Sequence, residues 1–402
     1  MQRRELLKWG AGLLLGSGLG LRSYAGTAQR IVVVGGGILG ASIAWHLVRR
    51  GADVTVLEKT QPAAGASGKS FAWINANISK QPRDYHLFSR LSVLAWHDLH
   101  QRLGDALPVR WDGTFEWYAN PARAEELERM TAQQRAWGWS VRSLEALEFT
   151  RLAPQVQPGK ILSSAVTEIE GAVDSGAATR LLLDEAGRAG AKIVHPCEVQ
   201  AIETSAGGVQ LRTTQGDYRA DRVVLASGVQ TEALAALVGA KVPLKSAPGL
   251  VVRTTPQPLQ LRGVYNTEDS HFHQQADGRY VLGDDYDPPH TRPHRLLEDH
   301  PLDFPRESLS AKHGERIRGQ AARYLPSLAN APIESVSLCW RPMPQDGYPI
   351  LGYVGGDSRV YVTVTHSGVT LAPLIGELAA LELLDGAQVD LMAPYRPARF
   401  VS

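Results

Sequence analysis

Residues 31–34 are an unbroken apolar run, Ile-Val-Val-Val, which predicts a strand buried on both faces in a parallel sheet. Three glycines follow in the spacing G-x-G-x-x-G: Gly35, Gly37 and Gly40. From Leu39 onward Ile43 and Leu47 recur at helical spacing, with Ala44 and Val48 beside them and Gly51 as the closing residue. Val54 and Val56 then share one face of a second strand that ends at Glu58. Near the C-terminus Val360, Val362 and Val364 alternate as a strand, "THSGVT" forms a polar turn, and Leu374, Leu378 and Leu381 share a helical face. Between these ends lie a polar helix over 121–138, a hairpin turning at Ala276-Asp277-Gly278, and a charged helix over 307–325. No repeat or low-complexity segment interrupts the pattern.

The first residues read differently. Arg3 and Arg4 precede "ELLK", an apolar and glycine-rich stretch runs from Trp9 to Leu21, and small residues end at Ala25 or Ala28. This is the layout of an export signal over 1–28, too short in its apolar part to span a bilayer comfortably. The paired arginines resemble the bacterial twin-arginine signal, whose cargo leaves the cytoplasm already folded around its cofactor. A general secretory signal with two arginines is the alternative. Either way the mature chain is expected in the periplasm or otherwise outside the cytoplasm.

At 402 residues the chain has room for two domains. A formal net charge of +1 removes the basic field that nucleic acid requires. Two cysteines, Cys197 and Cys339, exclude a disulfide scaffold and a cysteine-rich metal site. They are either a pair in an oxidising compartment or two buried free thiols. The three histidines of "DPPHTRPHRLLEDH" are separated by prolines that break any common helical face, so no metal site is expected.

Strand, glycines, helix, second strand and acidic residue in this order form a dinucleotide-binding front. Gly35 permits the tight turn, Gly37 lets backbone approach a pyrophosphate, and Gly40 lets the helix pack closely on the strand. Ile38 and Leu39 open the helix whose positive end favours phosphate, and Glu58, with Lys59 beside it, is placed to accept from a ribose. "QPAAGASGKSFAW" then supplies small residues and hydroxyls along the pyrophosphate path, with Ala66, Ser67, Phe71, Ala72 and Trp73 as candidate contacts.

Here the sequence resembles the FAD-dependent amine and amino-acid oxidoreductases of the D-amino-acid oxidase superfamily, which includes glycine oxidase and sarcosine oxidase. "DRVVLASG" is similar to that family's strand ending beside the cofactor at Gly228, and "AKIVHPCEVQAIE" to the strand pair whose valine, here Val199, meets the adenine side. The resemblance implies an α/β fold: a Rossmann-type FAD-binding domain with a discontinuous α+β substrate domain carrying a mostly antiparallel sheet. It divides the chain into FAD-binding parts 29–107, 151–240 and 336–402, and substrate parts 108–150 and 241–335.

The resemblance also implies roles. Gly368, Val369 and Thr370 would face the flavin's pyrimidine end, where helix-end polarity favours reduction. Arg341 in "CWRPMPQDG" would pair with the substrate carboxylate through its planar fork. His366 stands where glycine oxidase carries a second carboxylate-binding arginine, and His273 lies on the strand near the flavin. Cys339 aligns with the cysteine that joins flavin covalently in monomeric sarcosine oxidase; a buried small hydrophobe is the other reading. The implied reaction is hydride transfer from a D-amino acid, glycine or N-methyl amino acid to FAD, leaving an imine that hydrolyses. Electrons would pass on to oxygen or a respiratory carrier. FAD-dependent oxidation of a hydroxy acid, or of an exported metabolite or peptide, stays open. So does a flavin-binding accessory protein without turnover.

Overall fold

The computed structural model describes residues 28–77, 80–245, 247–284, 307–354 and 356–400. The expected export signal, as far as residue 27, and the three histidines of 287–300 lie outside these. A six-stranded sheet forms the first body, in the order Ile350–Val354, Asp357–Val364, Arg222–Leu225, Arg30–Val34, Asp53–Leu57 and Lys192–Val194. All neighbours are parallel except the first pair. The central strand shows why its sequence is apolar throughout. Ile31 and Val33 enter one core, and Val32 and Val34 enter a second core on the opposite face.

Helices Ile38–Arg49, Arg83–Leu103, Ser175–Arg188 and Gly368–Asp385 fill the first of these cores. The three-stranded meander Val199–Ser205, Gly208–Thr213 and Gly216–Ala220 covers the other face. The C-terminal helix differs from expectation. Its deepest residues are Leu371, Ile375, Ala379 and Leu383, whereas Leu378 and Leu381 are only partly buried. That helix is apolar on nearly every side, so spacing alone does not single out the face that packs.

A second, eight-stranded sheet carries its own core around Phe115, Trp117, Tyr265 and Phe272. Its order is Ile333–Trp340, Pro248–Thr254, Tyr280–Gly283, His271–Gln274, Val264–Asn266, Thr114–Tyr118, Ser163–Thr167 and Val141–Ser143. Only Val264–Asn266 against Thr114–Tyr118 is parallel. Two details depart from the division that the resemblance implies. Ser163–Thr167 pairs in this sheet although it falls within 151–240, and Ile333–Trp340 belongs wholly to it although it crosses the expected boundary at 335. Alternation identifies a strand but carries no information about which sheet receives it.

The helices Ile38–Arg49 and Gly368–Asp385, which follow the carboxyl ends of two parallel strands, touch at a glycine. A Cβ on Gly376 would sit 2.2 Å from the Ser42 hydroxyl oxygen, and that hydroxyl donates to the Ala372 carbonyl at 2.8 Å. Substitution Gly376→Ala should therefore push the helices apart and cost about 1–3 kcal/mol of stability. Urea unfolding checks this; an unchanged midpoint would show that the contact relaxes freely.

Candidate functional site

A cavity of about 850 Å³ lies between the two sheets, at the upper end of the range for small-molecule sites. One end is built by the glycine turn. Gly35 has φ +113°, and a Cβ there would lie 2.5 Å from the Ala226 carbonyl oxygen. A Cβ on Gly40 would lie 2.0 Å from the Gly35 carbonyl oxygen. Only glycine fits at either position. Gly40 itself does not line the cavity; it lets the helix start come close beneath the turn. The Ile38 amide donates to the Ser67 hydroxyl at 2.9 Å, which fastens the segment after the second strand over the helix N-terminus.

Glu58 stands beside this turn. Its carboxylate accepts from the Gly36 amide at 2.7 Å and from the Thr60 amide at 2.9 Å. Lys59 pairs with Glu198 at 2.8 Å. Val199 follows, where the antiparallel ladder slips at a bulge between Val199 and Ala201. Val199, Gly228, Ala66, Ser67, Phe71, Ala72 and Trp73 all line the cavity.

The segment 70–73 is held in an unusual shape. Ala72 has φ +63°, a left-handed conformation uncommon for a residue with a Cβ. Three contacts hold the segment there: the Ala72 amide donates to the Ser70 hydroxyl, Arg253 donates to the Ser70 carbonyl at 2.9 Å, and His273 Nε2 meets the Phe71 carbonyl at 2.9 Å. This corrects the expectation for His273. It is nearly fully buried behind Phe71 and does not line the cavity. Its Nε2 is the protonated nitrogen, because a carbonyl can only accept. Burial, its largest influence, pushes its pKa down to about 4.

His271, two residues earlier on the same strand, is the histidine that reaches the cavity. Its ring meets the Phe71 ring edge-on at 4.3 Å and crosses over Gly283, where a Cβ would lie 2.0 Å from Nε2. Burial pushes its pKa down to about 4, with Asp284 pulling the other way. That His271 and His273 share one face of the strand was legible in the sequence. Which of the two faces the cavity was not.

Another part of the cavity wall is made by the C-terminal helix and the last strand of the second sheet. Pro373 removes the amide that would bond the Val369 carbonyl, and Trp96 Nε1 donates there instead at 2.9 Å. Ser92 donates to the Thr370 carbonyl at 2.7 Å. Thr370 Oγ1 donates to the Trp73 carbonyl at 3.0 Å, so the helix start and the 73–75 segment are tied together. Gly368, Val369 and Thr370 line the cavity at this start.

Arg341 extends along the neighbouring strand, donating from Nη2 to the Pro248 carbonyl at 2.8 Å and from Nε to the Ala247 carbonyl at 3.3 Å. Burial lowers its pKa to about 10, which leaves the guanidinium charged at neutral pH. His366 is exposed to the cavity. That surface is cavity wall rather than open solvent, so desolvation, followed by Arg341, Lys80 and Lys245, pushes its pKa down to about 3. It is a neutral imidazole near neutral pH.

Several cavity residues carry no local signal in the sequence. Lys80 donates to the Ser367 hydroxyl at 2.7 Å, and the Tyr85 hydroxyl donates to the same oxygen at 2.9 Å. Lys245, Asp284 and Trp340 also line the site. Among the described residues no cluster of His, Cys, Asp and Glu is arranged to hold a metal ion, and no helix is long and apolar enough to cross a membrane.

Comparison with known proteins agrees with this construction. The profile of the family described as FAD dependent oxidoreductase matches residues 30–381. Glycine oxidase of Bacillus licheniformis is 27% identical over 359 residues, covering 87% of this chain and 91% of that protein. One of the subunits of opine oxidase from Agrobacterium tumefaciens (strain Ach5) is 25% identical over 380 residues, covering 92% of this chain and 97% of that one. The crystal structure of glycine oxidase from Geobacillus kaustophilus shares the fold, with a TM-score of 0.80 at 22% identity, covering 93% of this chain and 100% of that one.

Cys197 and Cys339 are both free thiols. Cys339 lines the cavity and its Sγ donates to the Trp340 carbonyl at 3.3 Å. Burial pushes its pKa up to about 11, so it is a protonated thiol rather than the reactive thiolate. Acid precipitation of the purified protein should leave no yellow colour in the pellet. Flavin retained there, and lost in Cys339→Ser, would establish a covalent bond.

Proposed function

The chain belongs to the FAD dependent oxidoreductase family, and from that premise we propose that it oxidises the carbon–nitrogen bond of an amine or amino acid. The observation that carries this reading is the position of Arg341. A charged guanidinium lines the same cavity as the glycine turn and the start of the C-terminal helix, where it can take both oxygens of a carboxylate. The names of the relatives, glycine oxidase and opine oxidase, point the same way.

FAD supplies the acceptor for the electron pair. The phosphates would lie against residues 35–39 and Ser67, the ribose against Glu58, and the pyrimidine end against residues 368–370. Arg341 fixes the carboxylate, and with it the α-carbon and nitrogen, in one orientation. The neutral His366 and His271 offer hydrogen bonds without repelling a substrate ammonium. The product imine is hydrolysed by water after release. Glycine, D-amino acids and N-methyl amino acids are the substrate types in view.

Anaerobic mixing of the yellow holoprotein with D-amino acids, N-methyl amino acids, amines and hydroxy acids tests the reading. Bleaching by one of the first three groups is expected, and bleaching by hydroxy acids alone would overturn it. Arg341→Leu should raise KM for a carboxylate substrate about ten-fold or more while the FAD content stays the same. We also propose export by the twin-arginine route, supported by Arg3 and Arg4 ahead of the weakly apolar 9–21 stretch. The double substitution of both arginines by lysine should hold the protein in the cytoplasm, and unchanged fractionation would count against that route.

A further inference from the structure

The charges that line the cavity are unevenly matched. Each acidic side chain on its described wall is already engaged: Glu58 by the Gly36 and Thr60 amides, Glu198 by Lys59, and Asp284 by Arg316 at 2.6 Å. Lys80 and Lys245, near His366, are not balanced in the same way. Among the described residues neither Lys80 nor Lys245 forms an ion pair, and both line the cavity with Arg341.

Lys80 is the more telling of the two. It is 6% exposed, and its ammonium has Ser367 Oγ at 2.7 Å and the Tyr85 ring at 5.2 Å as neighbours. A hydroxyl and an aromatic face solvate an ammonium without cancelling its charge. Burying such a group is costly unless a counter-charge arrives. Lys245 approaches from another direction, cross-strand from Met343, two residues beyond Arg341. The three cations thus come from three separate segments and converge on the wall around His366, which is kept neutral first by burial and then by these charges.

The cofactor's phosphates do not explain this charge. They have their own cradle at the glycine turn and the start of the helix Ile38–Arg49. A substrate with one carboxylate would engage Arg341 and leave the lysines uncompensated.

We propose that the substrate is an amino or imino acid carrying a second carboxylate, with one carboxylate held by Arg341 and the other by the ammonium groups of Lys80 and Lys245. The inference rests on the amine-oxidation reading above and narrows its substrate class. Lys80 and Lys245 are specificity-determining residues in this account. They select for the second anion, and the bond to be oxidised lies between the two anchored ends.

Inert carboxylates test this independently of turnover. Titration of the FAD-loaded full-length protein with glutarate and with butyrate, followed by the flavin absorbance spectrum, gives a dissociation constant for each. Glutarate is expected to bind about ten-fold or more tightly than butyrate. That ratio should fall towards one in Lys80→Gln and be reduced in Lys245→Gln. The exposed Lys245 and the wild-type ratio keep the test readable if the Lys80 variant does not fold. A wild-type ratio near one, or a ratio unchanged in both variants, overturns the proposal. An equal loss for the two carboxylates in Lys80→Gln also overturns it, because it assigns that lysine to the cofactor. Failure of every amine and amino acid to bleach the flavin would sink the parent reading instead, and the glutarate-to-butyrate ratio would still report on the site.

Discussion

The close packing of the helices Ile38–Arg49 and Gly368–Asp385 is the contact on which the site depends. Both helices begin at the cavity, and both present backbone amides there. Their separation is set by Gly376 against Ser42, and their register by the hydrogen bond from Ser42 to the Ala372 carbonyl. A larger residue at that crossing would move one helix start relative to the other. The cavity would then lose the fixed distance between the glycine turn and the start of the C-terminal helix.

A second layer holds the wall that these helices face. Trp96 occupies the Val369 carbonyl that Pro373 leaves open, and Ser92 donates to the Thr370 carbonyl beside it. Thr370 is bound to the carbonyl of Trp73. The Trp73 indole in turn donates to Thr114 Oγ1 at 2.9 Å, while the buried Glu170 accepts from the Ala76 amide at 2.7 Å. Burial raises the Glu170 pKa to about 8, so this carboxyl stays protonated at neutral pH and adds no negative charge beneath the site. His273 and Arg253 complete the support by holding the left-handed turn at Ala72. The shape of the wall therefore rests on side chains behind it as much as on those that touch the cavity.

The two histidines show where sequence reading stopped. His271 and His273 share one face of a strand, and either could have been the cavity residue. What decides is Gly283 on the paired strand, which leaves room for the His271 ring, together with the Phe71 carbonyl that captures His273. Lys80 is a stronger case. It sits in a loop without periodicity, and its partner Ser367 is far along the chain. Nothing in its neighbours marks it as buried.

The local order of strand, glycines, helix and acidic residue determined the nucleotide-binding front by itself, because each part is specified by residues a few positions apart. Steric rules for glycine and the alternation of apolar side chains act at that range. The same holds for the C-terminal strand, turn and helix, whereas Arg341 in "CWRPMPQDG" stood out only through the family resemblance. Only the tertiary structure decided which sheet received Ser163–Thr167, which histidine faced the cavity, and which cations gathered around His366. Those outcomes depend on segments distant in sequence meeting at one surface, and on the burial and charge that arise only when they meet.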